Sequence, residues 1–113
     1  MIKFSIVLVA FPFDDLTTSK VRPALCLTDE LGPYSHTIVA FISSNTEAYH
    51  LDSDIVLAES FPGFSETGLK ITSIVRLHRL VTIPASLIKR RLGWLPQSSR
   101  QHVYYRIMDL FKP

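Results

Sequence analysis

A single cysteine, Cys26, stands in a chain of 113 residues, so no intrachain disulfide can form and a reducing compartment is the expected setting. No apolar run is long enough to span a bilayer. The opening MIKFSIVLVAF joins one lysine to an apolar stretch, yet it passes straight into Pro12, Phe13, Asp14 and Asp15 with no small-residue cleavage site. It therefore reads as a buried first strand and not as a secretory signal. These absences predict a soluble, cytoplasmic protein. A glycine-rich phosphate loop and a nucleophile-elbow serine are also missing. Cys26, His36, His50, His78 and His102 have no metal-ligand spacing, and the neighbouring Asp14 and Asp15 point to opposite sides of an extended segment. No metal and no cofactor are expected, which leaves metal-independent chemistry or simple binding.

What is present describes one compact domain over residues 1–113, with 47% hydrophobic and 19% charged residues. Charge is unevenly spread along it. Residues 1–66 carry three basic and nine acidic side chains, 3 − 9 = −6, and residues 67–113 carry nine basic and one acidic, 9 − 1 = +8. Such asymmetry fits an anionic partner, nucleic acid or an acidic protein segment, unless the fold mingles the two halves on one surface. Residues 6–11 form a continuous apolar run suited to a buried strand, 12–20 a polar loop, and 23–28 and 37–43 two further strands about a Leu31-Gly32-Pro33 turn. A short strand is predicted at 54–58 and a long extended segment at 70–83. Residues 84–92 suit a short helix ended by Gly93, and Pro96 opens a second helix whose Val103, Ile107, Leu110 and Phe111 are expected to face the sheet. The sum is a mainly β fold, a small antiparallel barrel or half-open barrel closed by helices. A domain this small is helped by association into a dimer.

Three places hold side chains able to do chemistry. Pro23 fixes its own φ and pushes Arg22 into an extended conformation, so Arg22 is a cation held at a strand entrance beside a polar loop. Strict alternation along the long strand puts Thr72, Ile74, Arg76, His78 and Leu80 on one face and Ser73, Val75, Leu77 and Arg79 on the other. Arg76 and His78 then project side by side, about 7 Å apart. A permanent cation next to a group that titrates near neutrality suits phosphodiester chemistry, and it equally describes an exposed basic strand face. Ser43 and Ser44 close the third strand, where serine commonly satisfies a turn backbone. Cys26, between Leu25 and Leu27, reads as a buried, inert thiol. Phe13 borders the loop, where an aromatic ring can stack on an unpaired base, whereas Phe11 suits the core.

Read in order, IVLVAFPFDDL, KVRPALCLTD, TIVAFISSN, GLKITSIVRLHRLVTI and RRLGWLP followed by a helix resemble the PemK/MazF-like toxins of type II toxin–antitoxin systems over nearly the whole chain. The resemblance implies an SH3-like barrel with a C-terminal helix, a homodimer, and RNA binding across a groove at the dimer face. It implies a metal-independent, sequence-specific endoribonuclease (an mRNA interferase) that leaves a 2′,3′-cyclic phosphate and a 5′-hydroxyl. It also implies a cognate antitoxin with an acidic tail. Arg22 falls on the family's catalytic arginine, Ser43 on its catalytic hydroxyl, and Arg76 on an arginine that some members use as acid or phosphate clamp. Candidate RNA contacts border this set: Phe13, Asp15, Lys20, Ser44 and Thr72. The chain departs from the pattern in three ways. Phe4 and Ser5 stand where many members have a Gly-acid pair, Ser43 replaces a commoner threonine, and His78 takes the place of an aspartate base. Two other functions are compatible with such a barrel: a CcdB-like gyrase poison that cleaves nothing, and a catalytically weakened SH3-like binding module.

Overall fold

A computed structural model describes residues 1–10, 20–47 and 50–113. Phe11, Phe13 and Asp15, and the predicted loop apart from Lys20, lie outside the described residues. Within the described residues six strands form one antiparallel sheet: β1 (Ser5–Ala10), β2 (Val21–Cys26), β3 (His36–Ser43), β4 (Ile55–Leu57), β5 (Ser73–Pro84) and β6 (Ile88–Trp94). Their order across the sheet is β4-β5-β3-β2-β1-β6. Among the described residues one α-helix, α1 (Gln97–Phe111), follows directly after Pro96, its N-cap. A half-barrel with a C-terminal helix is thus what the alternating apolar strands produce. Among the described residues no helix is long and apolar enough to cross a membrane.

The sheet is apolar on both faces because neighbouring residues of its central strands pack into different clusters. Ile6, Leu25, Ala40, Ile42, Val75 and Leu77 join Leu95 and Val103 on the face that α1 covers. Val7, Val9, Ala24, Cys26, Val39, Phe41 and Ile83 form a second cluster on the opposite face. Register shifts in the β1–β6 and β3–β5 pairs bend the sheet, since extra residues on one strand raise its local twist.

Two expectations fail here. Residues 84–92 do not form a helix. A three-residue 3₁₀ turn, Ala85–Leu87, is all that their helical propensity leaves, and Ile88–Trp94 pairs with β1 as an edge strand. Hydrogen bonding to β1 overrides local propensity, and the exposed Lys89, Arg90 and Arg91 charge that edge against pairing with another chain. Gly93 accordingly ends no helix. It lies in β6, where a Cβ would collide with the backbone of Glu66 and Thr67 in the 3₁₀ turn Phe64–Thr67. The second failure is at the end of α1. Val103 is buried and Ile107 packs on the core, but Leu110 and Phe111 are 39% and 68% exposed, and Phe111 borders an open apolar groove between α1 and the sheet lined also by Leu27, Ile38 and Leu80.

The amino terminus is tied down by Asp29, whose Oδ1 accepts from the N–H groups of Ile2 (2.8 Å) and Lys3 (2.9 Å). The Lys3 bond, then the Ile2 bond, holds the Asp29 carboxyl below its ordinary value. A carboxylate lowered by folding stabilises the protein above its unfolded-state pKa, and that contribution is lost as pH falls through the folded-state value. Asp29→Ala should therefore lower the melting temperature at neutral pH, and the difference from the native chain should vanish on acidification below the carboxylate range. Gly93→Ala should cost about 3 kcal/mol in urea unfolding, since the obstacle is backbone that cannot rotate away.

Candidate active site

Pro23 organises the site. Pairing of β2 with β1 runs unbroken from Val21 to Leu25, across Pro23, whereas pairing of β2 with β3 begins only at Ala24. A proline has no N–H to offer a second neighbour, so the ladder on the β3 side stops there. Ala24 stands opposite Phe41. Carrying that register two residues further places Arg22 opposite Ser43, on the face of the second apolar cluster, where the two strands have ceased to hydrogen-bond. Arg22 is exposed at this mouth, and Lys20, just before β2, is exposed as well.

Ser43 is half-buried, and its hydroxyl accepts the N–H of Asn45 at 3.1 Å. The strand-end role is therefore filled with one lone pair, and a hydroxyl still has its proton to donate. Ser44 is exposed just beyond. β5 remains paired to β3 to its end, with Ile74 opposite Ser43 and Arg76 opposite Phe41. Arg76 lies two residues along the ladder from the Arg22–Ser43 mouth, on the same face. Its guanidinium is only 13% exposed and pairs with Asp54 Oδ2 at 3.2 Å. Thr72 precedes β5, and its hydroxyl accepts the N–H of Glu59 at 2.9 Å, which closes the turn into the strand.

The alternation expected along β5 does not survive past Arg76. Ala40 pairs with Leu80 and the next residue, Phe41, pairs with Arg76, so Leu77, His78 and Arg79 bulge out of the ladder. Leu77 and Leu80 both pack on the α1-side cluster although they stand three positions apart, which strict period-two alternation forbids. Arg79 consequently leaves the face assigned to it. Its guanidinium lies 4.5 Å from the centroid of the Phe41 ring, on the side of Arg76. His78 is exposed within the bulge, and the regular two-rise spacing to Arg76 does not apply.

Arg22, Ser43 and Arg76 are thus gathered on one face. Asp54, Phe41 and Arg79 were not anticipated there. The Leu-x-x-Leu spacing of Leu77 and Leu80 was the available signal for the bulge and hence for Arg79. Asp54 had none, because only the register of β4 against β5, with Ile55 opposite Val75, sets it beside Arg76. Three guanidinium groups with one carboxylate among them make a surface suited to an anion bearing several oxygens. Cys26 takes no part. It is fully buried, and burial, only partly offset by Ser5 and Thr37, pushes its thiol above the ordinary value.

Fold and site together define a small β half-barrel with a cationic, hydroxyl-bearing face at the parted ends of two strands. The sequence matches the PemK-like, MazF-like toxin of type II toxin–antitoxin systems over residues 2–111, and the chain belongs to that family. Comparison with curated proteins finds no match. Among solved structures the fold is similar to Mycobacterium tuberculosis toxin MazF-mt6, with 23% identity, 95% of each chain covered and a TM-score of 0.72. It is also similar to an endoribonuclease in complex with its cognate antitoxin from a mycobacterial species (9% identity, 100% of this chain and 97% of that one, TM-score 0.73). MazE-MazF from Deinococcus radiodurans is a third likeness, at 15% identity, 97% and 93% coverage and a TM-score of 0.69.

Cys26 should resist thiol reagents such as DTNB in the native protein and react once per chain after unfolding in guanidinium. Rapid native labelling would show that the sheet opens readily at this strand.

Proposed function

We propose that this toxin-family protein is an endoribonuclease that cleaves single-stranded RNA at specific sequences without a metal ion. What carries the reading is the convergence of Arg22, Ser43 and Arg76 on one face of a chain belonging to this family. Cleavage proceeds by attack of a ribose 2′-oxygen on the adjacent phosphorus. The 2′ proton is removed, the 5′-oxygen of the next nucleotide leaves and takes up a proton, and a 2′,3′-cyclic phosphate remains. Negative charge grows on the non-bridging oxygens during that step, and fixed cations lower its energy. Arg22 and Arg76 supply this stabilisation, since a guanidinium stays charged and has little use as a proton carrier. Ser43 donates its hydroxyl proton to the scissile phosphate or orients the attacking 2′-hydroxyl. His78, exposed two residues beyond Arg76, is the proposed base. Lys20, Ser44 and Thr72, with Phe13 and Asp15 of the loop, are the proposed RNA contacts.

The protein works as a cytoplasmic homodimer restrained by an antitoxin. Exposed Tyr104, Tyr105, Met108 and Phe111 on α1 support association, because a small monomer gains by covering such surface. Nine basic residues against one acid in residues 67–113 support an antitoxin with an acidic tail. That complex should weaken as salt rises.

Purified protein should cut long RNA in the presence of EDTA, and a 2′-deoxy nucleotide at the cut site should block the reaction. Intact RNA, or a strict need for Mg²⁺, would sink this mechanism. Intact RNA with gyrase-linked DNA breaks on expression would point to a gyrase poison, and harmless expression to a binding module. Arg22→Ala should slow cleavage about 10²- to 10³-fold with the fold unchanged. His78→Ala should cost about 10²-fold, and an unaltered rate would remove His78 from the proposed role.

A further inference from the structure

The ion pair that holds Arg76 is itself held from the far side of the molecule. Asp54 Oδ2 accepts from Arg76 at 3.2 Å and from the N–H of Leu51 at 2.8 Å. The segment carrying Asp54 is gripped by α1, where Arg106 donates through Nη1 to the carbonyls of Asp52 and Asp54, the latter at 2.8 Å. Contacts therefore run without a break from α1, through the backbone at 52–54 and the Asp54 carboxylate, to the Arg76 guanidinium. We propose that Asp54 is a positioning residue that aims Arg76 at the scissile phosphate, with Arg106 as the anchor that keeps Asp54 in place. The inference rests on the reading of Arg76 as the phosphate-binding cation.

Burial separates the two partners' roles. The Asp54 side chain is 3% exposed and cannot meet RNA, whereas Arg76 keeps a 13% opening. Stability does not account for the pair. Asp54 Oδ1 is buried and has no hydrogen-bond partner among the described residues. A buried polar atom left unpaired is costly, and apolar residues of similar volume commonly replace a buried ion pair without loss. What a carboxylate at this place does supply is orientation, since its contact with Nη1 narrows the directions open to the plane of the guanidinium. Arg106 fits the same account. Both of its bonds go to backbone carbonyls some fifty residues away in sequence, so it fixes a segment and not a charge.

The test compares the full-length chain with Asp54→Asn and Arg106→Gln by cleavage kinetics on an RNA oligonucleotide, thermal melting and NMR of the Arg76 guanidinium. Asparagine keeps the volume and an oxygen able to accept the Leu51 N–H, so the fold is spared. Arg106→Gln leaves the Asp54–Arg76 pair chemically whole and loosens only its anchor. Asp54→Asn should lower kcat about 10- to 100-fold, the scale of a misaimed group, with KM within about twofold at a temperature where the variant is fully folded, well below the melting temperature that the unpaired Arg76 charge lowers. Arg106→Gln should show a smaller loss of kcat in the same direction, and both variants should shift or broaden the Arg76 signal. Native kcat in both variants, or losses that only follow lowered melting temperatures, would overturn the proposal. A native chain that cleaves no RNA would overturn the ribonuclease reading by itself. The NMR arm stands apart from activity, because an unchanged Arg76 signal in Asp54→Asn would show that Asp54 does not hold the guanidinium.

Discussion

A proline in a central strand normally wastes a hydrogen bond, and here that loss is what creates the site. Pro23 sits between two neighbours that both pair with β2, and the ladder fails only on the β3 side, beyond Ala24. Had the pairing continued, Arg22 and Ser43 would be rungs of a closed sheet. Because it stops, they face one another at the lip of a parting between strands, backed by the apolar residues beneath. The same ring that opens the sheet also holds Arg22 extended. One missing N–H thus ends the β2–β3 ladder just where Pro23 holds Arg22 extended.

The bulge in β5 is the complementary device on the other side of β3. Leu77 is fully buried and Leu80 packs on the same cluster, so the strand must shed its alternation between them. The slip carries Arg79 to the Phe41 ring, where its charge adds to that of Arg76 on a face whose described carboxylate, Asp54, is committed to Arg76. Core packing on one side of the sheet therefore sets the charge on the other, since a strand cannot change register without moving the side chains of both faces.

Much of this was legible in the residues. The apolar runs that became β1, β2 and β3 alternate or persist in ways only strands satisfy, and Pro96 marked the start of α1. Cys26 between two leucines was readable as buried. β6 was not legible, because Ala85 to Leu92 has good helical propensity and nothing nearby announces that β1 lacks a partner on its outer edge. The exposure of Leu110 and Phe111 was hidden for a related reason: periodicity tells which residues share a helix face, not how closely the sheet packs against that face.

By itself the sequence determined the class of fold, the anchoring of Arg22 by Pro23 and the hydroxyl at the end of the third strand. Each depends on chemistry within a few residues, on backbone restriction, alternation and turn preference, and these act before the chain has folded. Only the tertiary structure decided that Arg22, Ser43 and Arg76 share a face, that Arg79 joins them, and that Asp54 holds Arg76 under the grip of Arg106. Those relations depend on strand register and on the bulge. Both are settled by how Leu77 and Leu80 pack into the cluster that α1 covers on the opposite face, a competition among distant parts of the chain that no local pattern records.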